Sequence, residues 1–67
     1  MTKQELKETF EHNPATMDVP AAGKILADLS RNGAYDAAAR GDIPVIRIGG
    51  RMRVATSYVK RQIGWEE

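Results

Sequence analysis

The chain has 67 residues, a formal net charge of +1 and no cysteine. That length allows one small domain, and such a domain buries only about 60% of its unfolded surface, so its stability is marginal. A chain without cysteine has no disulfide or thiolate metal site and fits a reducing cytoplasm. No apolar run reaches the roughly 18 residues of a membrane span, and the polar amino terminus shows no signal-peptide pattern.

Residues 2–11 read as an acidic, mostly polar helix. Leu6 and Phe10 stand four apart and give it one narrow apolar stripe. Thr2 and Glu5 have capping-box spacing, and Asn13-Pro14 ends the helix because a residue before proline leaves the α region. A second helix is expected from about Asp18. Asp18 is its cap, with Thr16 as the alternative, and Pro20 is tolerated in the first turn. Ala21, Ala22, Ile25, Leu26 and Leu29 form its inward face. Gly23 either weakens this helix or admits a close neighbour.

Ser30 caps a third helix running to Arg40. Ala34, Ala37 and Ala38 point inward; Arg31, Asn32, Tyr35, Asp36 and Ala39 point outward. Asp36 and Arg40 have the spacing of a weak ion pair, and Gly41 with Pro44 terminates the helix. Val45 to Ile48 and Arg51 to Val54 are expected to form a β-hairpin, joined by Gly49-Gly50 in a turn that needs positive φ at both positions. Ile46, Ile48, Met52 and Val54 alternate with Arg47, Arg51 and Arg53, which predicts one packed and one basic face. Thr56 or Ser57 caps a last helix to about Ile63, and Gly64 stops it.

The expected fold is therefore α+β. It reads as a small winged helix-turn-helix, residues 14–64, with a two-stranded antiparallel wing. Residues 1–13 are an added N-terminal helical extension, and residues 65–67 form a tail. Charge divides along the chain. Residues 1–30 hold three lysines against five acids, whereas residues 31–67 hold seven basic groups against four acids. From Arg47 to Arg61 there are five basic residues and no acid. A one-sided basic field suits a polyanion. No nucleophile–base constellation or phosphate loop is present, and Glu5, Glu8 and Glu11 lie on an exposed helix, so neither an enzyme nor a cofactor is expected. His12 stands alone, so no metal site is expected either.

Several motifs together resemble the excisionase family of the MerR-like winged-helix group. They are Ala21-Ala22, Ser30, Tyr35, Arg40-Gly41-Asp42-Ile43-Pro44, the strand Val45 to Ile48, Gly49 with Arg53-Val54, and Tyr58 to Ile63. The resemblance spans about residues 16–63. The run from Ala21 to Ser30 is about two residues longer than the family's, and the third helix is poor in large side chains. Excisionases are accessory proteins of phage recombination, and some act as repressors. The resemblance thus implies a protein of the host bacterial cytoplasm that binds repeated attachment-site sequences cooperatively. Its partners would be double-stranded DNA, a phage integrase and neighbouring copies of itself, with no membrane. It would bend DNA and direct the integrase towards excision.

On that reading the third helix enters the major groove with Ser30, Arg31, Asn32 and Tyr35. The wing enters the minor groove with Arg51 first, then Arg47 and Arg53; Arg53 has the alternative of bracing the hairpin against the third helix. Lys60 and Arg61 are candidate phosphate contacts or a solvated face. Leu6, Phe10 and Trp65 are candidate contacts between protomers, and Trp65 alternatively caps the small core. Two other expectations stay open: a transcriptional repressor of the same fold, and a protein-binding adaptor using Leu6, Phe10 and Trp65.

Overall fold

Thr2 starts the first helix. Its hydroxyl accepts from the Glu5 amide while the Glu5 carboxylate accepts from the Thr2 amide, closing a capping box at the head of α1, Lys3–His12. A computed structural model describes residues 2–66. Met1 and Glu67, the outermost residues of the expected extension and tail, lie outside the described residues. Beyond α1 the chain runs through β1, Thr16–Asp18, into α2, Val19–Ala27, then α3, Arg31–Arg40. The strands β2, Ile46–Ile48, and β3, Arg51–Ala55, lead into α4, Thr56–Gln62. The α+β class is as expected.

The caps explain the helix bounds. The Asp18 carboxylate accepts from the Ala21 amide at 2.8 Å, which makes it the cap of α2, with Pro20 in the first turn. The Ser30 hydroxyl accepts from the Gly33 amide at 3.1 Å and begins α3, which Gly41 ends at φ 85°. The last helix differs from expectation. Its N-cap is Ala55, which makes no side-chain cap bond, and neither Thr56 nor Ser57 takes that role. Thr56 is buried inside the first turn, where its hydroxyl donates to the Asn13 carbonyl at 2.6 Å and its amide to Ala15 at 3.0 Å. The junction of β3 and α4 is thereby tied to the loop that follows α1. Arg40 also differs: it pairs with Asp42 at 3.2 Å in the loop after α3, not with Asp36.

The sheet has the order β1-β3-β2, antiparallel throughout. β1 is a strand that the sequence pattern does not reveal. It pairs Thr16, Met17 and Asp18 with Ala55, Val54 and Arg53. Met17 and Val54 meet on the buried face and join Val19, Val59, Phe10 and Ile43 in the core. The three inward alanines of α3, Ala34, Ala37 and Ala38, are buried as expected. They let α3 lie close to α2, and Gly23 is the point of closest approach. A Cβ there would stand 2.5 Å from the Ala34 Cβ. Gly23 thus serves contact between helices, the second of its two expected roles.

Helix α1 packs on the chain's own core. Phe10 is buried and meets Trp65 edge to face, with ring centroids 5.1 Å apart and planes at 73°. Leu6 is half-buried beside them. Phe10 is therefore not free for a second protomer, contrary to that candidate role. The Trp65 ring lies against the core, and Leu6 and Trp65 keep only part of their surface open.

Candidate nucleic-acid interface

The hairpin corrects the expected division into an apolar and a basic face. Gly49 and Gly50 have φ of 55° and 82°, the two-residue turn foreseen. Such a turn pairs residues three apart, so Ile48 faces Arg51, Arg47 faces Met52 and Ile46 faces Arg53. Residues directly opposite in an antiparallel pair share a face. Ile46, Ile48, Arg51 and Arg53 therefore lie on one face, and Arg47, Met52 and Val54 on the other. Met52 and Val54 anchor the hairpin to the core, with Val54 fully buried. Ile46 and Ile48, expected to pack, are instead 42% and 56% exposed.

The arginines have different duties. Arg53 donates through Nε to the Thr16 hydroxyl at 3.2 Å and through a terminal nitrogen to the Thr16 carbonyl at 3.1 Å. It is half-buried, and it braces β3 against β1, not against α3. Arg51, at the end of the turn, is exposed. Arg47 is exposed on β2, the edge strand.

The third helix comes up beside this hairpin. Tyr35 is half-buried, and with Asp18, Gly50, Arg51, Met52 and Arg53 it borders one shallow depression. The Arg31 guanidinium lies over the Tyr35 ring, 5.6 Å from its centre. A cation stacked on an aromatic ring at an exposed site gains about 0.5–1 kcal/mol, which favours one orientation of the long side chain. Asn32 is exposed one residue further on, and Ser30 has its hydroxyl oxygen committed to the cap. Tyr35 thus shares one depression with Arg51 and Arg53, and Arg31 stands over the Tyr35 ring. Asp18 is the acid within the group, and its carboxylate is engaged with the Ala21 amide.

Lys60 and Arg61 do not border this depression. Lys60 lies over the Phe10 ring at 5.4 Å, in the corner formed by α1, α4 and Trp65. Arg61 is exposed on α4. Among the described residues, no group of three or more His, Cys, Asp or Glu is placed to hold a metal ion. No helix among them is long and apolar enough to cross a membrane. Comparison with family models, with curated proteins and with solved structures gives no match.

The sequence reading missed the exposed isoleucines. The signal was available, because two strands joined by a two-residue turn pair at positions whose numbers sum to an odd value. Each even-numbered isoleucine must then share a face with an odd-numbered arginine.

Proposed function

We propose that this protein binds double-stranded DNA as a winged helix-turn-helix. In this reading α2 and α3 are the helix-turn-helix and the β2–β3 hairpin is the wing. The observation that carries the proposal is the depression that Tyr35 of α3 shares with Arg51 of the hairpin, with Arg31 over the Tyr35 ring. A helix end and a narrow ribbon presenting cations side by side match the spacing problem of a duplex, whose major and minor grooves alternate along its axis.

Arg31 and Asn32 at the start of α3 reach into the major groove. Arg31 takes a guanine edge or a phosphate, and Asn32 takes an adenine edge. Arg51 enters the minor groove at the hairpin end, where a narrow A·T-rich stretch attracts arginine, and Arg47 holds the flank. Arg53 keeps the hairpin seated on β1. The role needs no catalytic group or cofactor.

Within this reading, the run from Arg40 to Val54 resembles that of phage excisionases, and we place the protein among such accessory factors. Several copies bind side by side in the bacterial cytoplasm, bend the duplex and direct an integrase towards excision. Contact through few side chains per copy supports cooperation, since one small module buries roughly 600–1,000 Å² on DNA.

Two measurements test this. DNA affinity followed against salt is expected to fall with a log–log slope near −3.6 if about four phosphates are held; a flat response overturns the reading. Adding the protein to an integrase reaction is expected to shift the outcome from integration to excision. DNA binding with no such shift would favour a repressor.

A further inference from the structure

In a domain this short of large apolar side chains, two isoleucines are left in solvent. Ile48 is 56% exposed and Ile46 42%, whereas the other large aliphatic side chains among the described residues are buried or half-buried. Both lie on β2, and the register puts them on the same face as Arg51 and Arg53. The turn between the strands is Gly49-Gly50, which carries no side chain. Ile48 and Arg51 are therefore the first side chains behind the hairpin tip, directly opposite one another. The result is a mixed strip, with a branched apolar group beside an exposed cation at the end of a two-stranded ribbon.

Such a strip is chemically complementary to one surface. The minor groove of DNA is about 6 Å wide. Its walls are deoxyribose C–H groups, which are apolar, and its rims are phosphates. We propose that Ile48, supported by Ile46, packs against the deoxyribose wall of the minor groove while Arg51 takes the phosphate or base edge beside it. This rests on the DNA-binding reading above and assigns the wing an apolar contact in addition to its charges. The bare glycine turn leaves Ile48 and Arg51 as the first side chains to meet the groove.

Apolar contact releases no counterions, so it leaves a distinct trace in a salt titration. The test uses a short A·T-rich duplex that holds one copy of the protein. On it, Ile48→Ala is expected to weaken binding about tenfold at every salt concentration, with the slope unchanged. Ile46→Ala is expected to weaken it about threefold. Arg51→Ala, by contrast, should make the slope shallower by about 0.9. An A·T-specific minor-groove ligand should displace the wild-type protein. Circular dichroism checks that each variant is folded, which is expected because both isoleucines are exposed.

Wild-type affinity of Ile48→Ala on the short duplex overturns the wall contact while leaving DNA binding intact. A loss confined to longer duplexes that seat several copies also overturns it, and assigns the isoleucines to contact between neighbouring copies along the free edge of β2. A wild-type protein that shows no salt-dependent duplex binding overturns the DNA reading itself.

Discussion

Helix α3 and the β2–β3 hairpin are neighbours built to opposite ends. The inner side of α3 is Ala34, Ala37 and Ala38, so the helix sits tight against α2 and its sequence is set by packing. The hairpin is anchored by Met52 and Val54 on one face, and its other face carries Ile46, Ile48 and Arg51 into solvent. Small side chains allow that close approach, and they confine any other contact by α3 to its outer side, where Arg31, Asn32 and Arg40 are exposed. The hairpin is held at its base and can use nearly every other position for contact. If the protein binds DNA as proposed, most of the affinity is expected to reside in the hairpin, with α3 as its rigid neighbour.

The largest effect should come from disturbing the tight side. In Gly23→Ala the new Cβ would lie 2.5 Å from the Ala34 Cβ and 3.2 Å from its Cα, so one helix must move. We expect a loss of about 1–3 kcal/mol, beyond the gain in helix propensity. For a domain of this size each kcal/mol shifts Tm by roughly 4–8 °C. The double variant Gly23→Ala/Ala34→Gly should recover part of it, and thermal unfolding of all three proteins reads the coupling. Equal stability of Gly23→Ala and wild type would show that α2 and α3 are not closely packed. Next in size is Arg53→Met, which keeps the apolar stem but loses both bonds to Thr16. A cost near 1 kcal/mol is expected, discounted for partial solvent contact. If stability were unchanged and DNA affinity fell with a shallower salt slope, Arg53 would belong to the interface after all.

How far the sequence could be read follows the same contrast. Helix ends were legible because their signals are local: Thr2 with Glu5, Asp18 with Pro20, Ser30, and Gly41 each act within one turn of chain. The alanine face of α3 was equally legible from its spacing. What failed depends on contacts far apart in the chain. Strand β1 is three residues long, too short to show an alternation, and it exists because Met17 and Val54 pair across the fold. Thr56 resembles a cap by type, but the carbonyl of Asn13, 43 residues earlier, takes its hydroxyl. Arg51 and Tyr35, both singled out from sequence, border the same depression. The hairpin faces were misassigned because alternation was carried through a turn that reverses it.

Substitutions on the two elements should affect duplex binding differently. Arg51→Ala should reduce duplex affinity about tenfold, the loss of one well-placed cation and its share of counterion release. Asn32→Ala should cost less on a random duplex, and its effect should depend on sequence, because an amide reading an adenine edge discriminates among bases. Fluorescence anisotropy on a small panel of duplexes separates the two. If Asn32→Ala proved the more damaging on every duplex, α3 would be the dominant element and the hairpin its support.

The smallest effect lies in the turn that joins α2 to α3. Asp28 stands there at φ 53° and ψ 37°, the left-handed region that side chains with a Cβ enter only at a cost. Its carboxylate meets the Lys24 ammonium at 3.3 Å, but both side chains are largely exposed, so this pair offsets little of that cost. Replacing Asp28 by glycine removes the steric conflict and the ion pair together, while it adds freedom to the unfolded chain. Relief of the left-handed strain should win, giving a gain of about 0.5 kcal/mol and a Tm higher by a few degrees. Asp28→Ala should go the other way by about 1 kcal/mol, since it keeps the Cβ and loses the polar group that tolerates this conformation. The opposite signs of the two substitutions are the useful result. They separate backbone strain from charge, because a loss of the ion pair alone would lower both variants equally and would vanish in high salt.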